Sequence, residues 1–233
     1  LPTSLCCRNV NIGGFVPALV FGVAVGNVLQ GAPFRLDSDL RSFYEGSLLG
    51  LFSPFALMTG LLSVAMVVMH GAGFLSVKIE QGPVLDRARR IGSVAAIASV
   101  ILFAAGGLWV ANGAMGFRLE GAVDPNGPSN PLFIKTVAAP GAWLDNYGRY
   151  PWMVIAPVLG LVGPLVALLG IRRRSHVLNL AGSSLATVGI IATVGLSMFP
   201  FILPSSINPQ SSLTAWNASS SHLTLWIMLI VTV

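Results

Sequence analysis

The 233 residues are 54% hydrophobic and only 9% charged, with a mean hydropathy of +0.79. A water-soluble domain carries about 25% charged residues, so this chain has too few charges to cover a water-exposed surface of its size, and a soluble globular fold is excluded. The net charge of +5 does not point to nucleic acid, because the basic residues sit in short clusters beside apolar runs, the pattern of membrane topology signals.

In chain order, residues 1–11 lack the charged start and apolar core of a signal peptide. The two cysteines, Cys6 and Cys7, are adjacent and have no zinc spacing, so they carry no assigned role. Five apolar stretches then follow, at 12–30, 48–71 (extending toward Val77), 91–115, 152–171 and 177–203, none of which contains Asp, Glu, Lys or Arg. Each is near the roughly twenty residues that a spanning helix requires, and in lipid a backbone that satisfies its own hydrogen bonds is helical. A sixth run, 223–233, has eleven residues, too few to span. With Leu rather than Met at position 1, this marks the chain as a fragment of a longer protein. The expected fold is an all-α polytopic transmembrane bundle, one domain over 1–233, with five complete spans and a truncated sixth.

Orientation follows from Lys and Arg. Loop 78–90 carries Lys78, Arg87, Arg89 and Arg90, and loop 172–176 carries Arg172, Arg173 and Arg174, so both are expected on the cytoplasmic side. Loops 31–47, 117–151 and 204–222 alternate with them and are expected outside. Trp143, Tyr147, Tyr150 and Trp152 cluster where the long outer loop re-enters the membrane, a depth that suits amphipathic rings. Small residues recur as Gly22 and Gly26, Gly46 and Gly50, and Ala104 to Gly107, spacing that suits close helix packing. Pro17 and Pro54 are placed early in their helices. Pro157, Pro164 and Pro200 are placed inside or near the ends of theirs, and the segment around Pro200 and Pro204 is expected to bend and unwind at the outer surface.

Charge-free spans argue against a self-contained proton pump or ion-coupled transporter, since an intramembrane charge usually marks such function. His70, placed at the cytoplasmic end of the second span with Met58, Met66 and Met69 on the same helix, is the one candidate haem ligand. No second histidine sits at matching depth, because His176 follows the arginine cluster and His222 lies in an outer loop. Asn217-Ala-Ser219 fits a glycosylation acceptor. The uncharged segment 204–222, with Trp216 among Ser, Thr and Asn, suits packing on a partner, the headgroup level or a plain connector. No catalytic, cofactor-binding or metal-binding residue is assigned.

The run SMFPFILPSSINPQSSLTAWNASSSHLTLWIML (197–229) resembles subunit II of the bacterial cytochrome bd ubiquinol oxidases. PALVFGVAVGNVLQGAPF (17–34), YEGSLLGLFSPFALMTGLLSVAMVVMHGA (44–72), SNPLFIKTV and GAWLDNY (within 129–147) resemble further blocks of that family in the same order. The resemblance starts near Asn11, and residues 1–10 fit it poorly. It implies an oxidase that takes electrons from ubiquinol and reduces dioxygen to water while contributing to the proton gradient. It implies further that haem b and haem d reside in a partner, subunit I, and that this subunit binds no haem but supports the haem subunit and helps form routes for protons or oxygen. The inner membrane is the implied location. The family's N-terminal helices, with acidic and aromatic motifs associated with proton access, have no counterpart here. The alternative of a different class is a small-solute transporter or exporter with Pro-broken helices, which the charge-free spans disfavour.

Overall fold

The computed structural model describes residues 3–113, 115–121 and 130–232, and of residues 3–12 the backbone alone. The side chains of Cys6 and Cys7, residues 1–2 and 122–129, Ala114 and Val233 lie outside the described residues. Five long helices form the bundle: α1 (Thr3–Gln30), α2 (Pro54–Lys78), α3 (Pro83–Asn112), α5 (Ile155–Arg172) and α6 (His176–Met198). All five are long and apolar enough to cross a membrane. A short α4 (Asp145–Arg149) precedes α5, and α7 (His222–Thr232) has no buried residue. The all-α transmembrane expectation is borne out.

Helix starts follow local chemistry. Ser53 caps α2, its Oγ accepting from Ala56 N at 3.1 Å, with Pro54 in the first turn where no donor is lost. Residues 48–53, expected as span, instead form a 3-10 turn at Leu49–Leu51 ahead of that cap. Gly46 and Gly50 therefore lie outside any long helix. Pro83 likewise opens α3, so most of the basic loop 78–90 is the first turns of a helix. Arg89 lies there largely covered, 3.6 Å from Asp86, with its aliphatic stem on apolar surface. Pro17 sits in the middle of α1 rather than early in it. Pro157 falls in the first turn of α5, and Pro164 lies buried in its interior.

Small residues set the packing. A Cβ on Gly182 of α6 would lie 2.3 Å from Ala167 N of α5, and one on Gly163 would lie 2.4 Å from Ala186 N. Gly189 meets Gly160 N at 2.3 Å in the same way, so the two helices touch backbone to backbone along their length. The GVAVG glycines do the same between α1 and α2: Gly22 faces Gly60 and Gly26 faces Ala56.

The ends without the arginine loops are covered by three two-stranded antiparallel hairpins that the hydropathy reading did not include. They pair β1 (Phe34–Leu36) with β2 (Ser42–Tyr44), β3 (Phe117–Glu120) with β4 (Lys135–Ala138), and β5 (Phe201–Leu203) with β6 (Leu213–Thr214). The first turns on Asp37, whose Oδ1 accepts from Asp39 N and Arg41 N at 3.0 and 2.8 Å, a turn chemistry specific to short polar side chains. The unwinding expected around Pro200 occurs: α6 stops at Met198 and the chain turns into β5. The hairpins are joined to one another. Ala32 N donates to Pro204 O at 2.9 Å, Ser206 N donates to Ala32 O at 3.0 Å, and Leu36 N donates to Ser211 Oγ at 2.9 Å.

In the full-length subunit, Gly182→Leu drives a side chain into the α5 backbone and lowers stability by about 1–3 kcal/mol. Gly195→Ala, which meets open space, changes it by no more than about 0.5 kcal/mol. Thermal unfolding of the purified, detergent-solubilised protein checks both.

Candidate functional site

Beneath the hairpin cap, Trp143 is 1% exposed and donates its indole N–H to Leu29 O at 3.1 Å. It packs on Phe117 and Phe201, ring centroids 5.8 and 5.6 Å away, and joins Phe55 and Met198 in one cluster. The indole thus carries the end of α1, the third-loop hairpin and β5 on one ring. Three residues on, Asn146 directs Nδ2 at the exposed end of α6, donating to Leu196 O at 2.9 Å and Phe199 O at 2.6 Å. The last carbonyls of a helix have no partner within it, and Asn146 supplies one. Tyr147 follows, its hydroxyl 2.6 Å from Ser197 Oγ. Burial raises the Tyr147 phenol above its ordinary range, and the hydrogen bond to Ser197 opposes this, so the group is neutral at physiological pH.

Tyr147 and Leu144 roof a chamber of about 560 Å³ between α2, α3, α5 and α6. Phe55, Met58, Leu62, Phe103 and Ile190 make much of its wall. Its hydroxyls are already committed: Thr59 donates to Ala56 O at 2.8 Å and Thr193 to Gly189 O at 2.7 Å. An apolar chamber of this kind accommodates hydrocarbon or a dissolved gas. Its other hydroxyls, Tyr147 and Ser197, are paired with each other at the roof.

The four aromatic residues expected at the interface divide. Tyr150 and Trp152 are exposed, Trp152 by 59%, as interfacial rings would be. Trp143 and half-buried Tyr147 are turned inward. Trp216 stacks edge-on against Phe199 at 6.1 Å. Asn217 is 2% exposed, accepting from Thr214 N at 2.6 Å and donating to Ser212 O at 3.2 Å. The acceptor reading of Asn217 is therefore corrected, because a buried amide that holds its own loop cannot receive a glycan. His222 opens α7 and is exposed.

His70 lies two turns inside the end of α2 rather than at the end, half-buried, with Nδ1 3.2 Å from Ser183 Oγ of α6. A Cβ on Gly73, one turn away, would come within 2.7 Å of that same hydroxyl, so α2 and α6 leave no width for a macrocycle between them on the Nδ1 side of the ring. The chamber wall offers one thioether, Met58, and no imidazole. Among the described residues, no three His, Cys, Asp or Glu side chains gather as a metal site. Sequence reading missed Asn146 and a buried polar group on α6, Asn179 and Ser183. The signal for the latter was present, since the two are four residues apart in an otherwise apolar span and so share a helix face.

These features define a class: a multi-pass helical membrane protein whose spans leave a half-open apolar chamber under a hairpin cap. The particular family follows from the whole sequence, because residues 3–233 match cytochrome bd terminal oxidase subunit II, and the chain belongs to that family. The match takes in residues 3–10, which had fitted the resemblance poorly. The chain is 42% identical over 220 residues to cytochrome bd-I ubiquinol oxidase subunit 2 of Escherichia coli K12, covering 94% of this chain and 58% of that protein. It is 39% identical over 221 residues to a probable cytochrome oxidase subunit 2 of Haemophilus influenzae, covering 95% and 58%. The chain thus spans less than two thirds of the length of these relatives.

Replacing the inward amide tests the cap. Asn146→Ala leaves the α6 carbonyls without their donor and costs about 1–3 kcal/mol. Faster amide hydrogen exchange confined to residues 197–203 and 213–217 is the expected readout.

Proposed function

We propose that this chain forms part of the second, non-haem subunit of a membrane quinol oxidase that oxidises ubiquinol and reduces dioxygen to water, contributing to the proton gradient. The observation that carries this reading is the 42% identity, over 94% of the chain, to a ubiquinol oxidase subunit 2. In this reading the 233 residues are one transmembrane domain of the bacterial inner membrane. Haem b and haem d belong to the partner, subunit I, and no residue of this chain is catalytic or binds a cofactor or metal. The contact of His70 Nδ1 with Ser183, which takes one edge of the imidazole into the α2–α6 seam, supports that division. The role left to this chain is mechanical support of the haem subunit and the shaping of apolar or polar routes through the bundle.

The orientation that goes with this reading puts loops 79–82 and 173–175 in the cytoplasm and the hairpin cap in the periplasm. Arg87, Arg89, Arg90 and Arg172 to Arg174 at one end of the bundle support it through the positive-inside rule.

The test is an optical one. The full-length subunit, tagged and extracted in mild detergent, is expected to co-purify with a larger haem-bearing chain. The reduced-minus-oxidised spectrum should then show haem b and chlorin-type haem bands, with quinol oxidase activity. A folded, colourless protein with no partner, or one showing saturable solute uptake without haem, would overturn the reading in favour of transport.

A further inference from the structure

Among the described residues, a strongly polar seam within the bundle lies between α2 and α6, near the arginine-loop end. Asn179 of α6 is 2% exposed and donates from Nδ2 to Ser76 Oγ at 3.3 Å, while its Oδ1 is buried without a partner. One turn before it, His176 Nδ1 is likewise buried and unpartnered. One turn beyond it, Ser183 is fully buried and contacts His70. Ser76 and His176 also line an open pocket of about 520 Å³, whose rim carries Lys78 and Glu80. Polar atoms therefore follow one another from solvent to His70: His176 and Ser76 at the pocket, Asn179 behind them, then Ser183 and the imidazole.

An amide oxygen buried without a hydrogen bond costs about 1–3 kcal/mol, and an unsatisfied buried group beside a polar, open pocket is the usual site of a bound water. Asn179 and Ser183 are four residues apart and so lie on one helix face, neighbours that a bound water can link. Ser76 Oγ donates to Gly73 O and Ser183 Oγ donates to Leu180 O at 2.9 Å. The hydrogen bond between Ser183 Oγ and His70 Nδ1, at 3.2 Å, runs in the direction that the imidazole tautomer sets.

We propose that the α2–α6 seam is a water-binding inlet, entered through the pocket at Ser76 and His176, gated by Asn179 and ending at His70. Its ligand is water, and it gives a histidine well inside an otherwise charge-free span contact with solvent on the arginine-loop side. Naming that side cytoplasmic rests on the orientation proposed above; the inlet itself does not.

Silver ions are small enough to follow single-file water and bind thiolates, so they report the inlet. The full-length subunit, assembled with its partner, carries Cys6→Ser and Cys7→Ser together with either Ser76→Cys or Ser183→Cys. Sealed vesicles of each orientation are exposed to silver, denatured, and labelled on this subunit with a fluorescent maleimide, so that silver binding reads as lost label. Protection of both thiols is expected at least tenfold faster from the cytoplasmic side than from the other. Adding Asn179→Leu should slow protection of Cys at position 183 at least tenfold and leave position 76 unchanged. If position 76 is protected and position 183 is not, the pocket ends at Asn179 and the inlet is refuted; if neither is protected, the pocket itself is dry and the proposal fails. Protection of both from the periplasmic side alone would support the inlet and overturn the orientation. The result at position 183 decides the matter even if Asn179→Leu does not assemble.

Discussion

Gly160 and Gly163 of α5, against Gly189 and Ala186 of α6, and Gly182 of α6, against Ala167 of α5, let two backbones meet at separations that a side chain at any of these glycines would prevent. In lipid, apolar side chains gain little by leaving the solvent for one another, so close van der Waals contact and polar pairing are what hold spans together. The α5–α6 seam is where the contact is closest, and the neighbouring elements are referred to it. Gly160 also receives the ring of Phe103 from α3, and Gly73 brings α2 against Ser183. The α2–α6 approach that sets His70 Nδ1 against Ser183 and the chamber left between α2, α3, α5 and α6 both follow from which helices are allowed to touch.

The hairpin cap solves a different problem. Where α1 and α6 end, their last carbonyls lose their helical partners at the level where lipid gives way to water. Trp143 answers Leu29 O, and Asn146 answers Leu196 O and Phe199 O. The strands between them use up most of the remaining backbone groups. The exposed ion pair of Arg118 with Asp145 at 2.6 Å contributes little by comparison, since such pairs are screened by solvent. The cap therefore does not float above the bundle; it is bonded into the helix ends, and its aromatic cluster is continuous with the roof of the chamber.

The two internal features differ in kind. The chamber under the cap is apolar, with Thr59 and Thr193 bonded to their own helices and Tyr147 paired with Ser197 at its roof. The α2–α6 seam is narrow and polar, and it carries an amide oxygen and a ring nitrogen without partners. Under the function proposed above, both suit a subunit that shapes paths through a membrane complex.

The sequence by itself determined that this is a multi-span helical membrane protein, because a paucity of charge and five charge-free runs of spanning length leave lipid as the solvent and helices as the backbone solution. It also carried the family, in ordered blocks along the chain. Hydropathy was blind to the hairpins, since alternating polar segments such as Phe34–Leu36 and Ser42–Tyr44 are short, and their pairing gains meaning only when other loops dock beside them. Composition placed Trp143 with Trp152 as interfacial rings; only tertiary contact separated the one locked on Leu29 O from the one left exposed on the surface. The same holds for His70 and Asn179. Their residue types and positions were on the page from the start, but whether a histidine binds a haem, faces lipid or ends a polar seam depends on which helix lies opposite. That choice is made by glycine contacts between segments far apart in the chain.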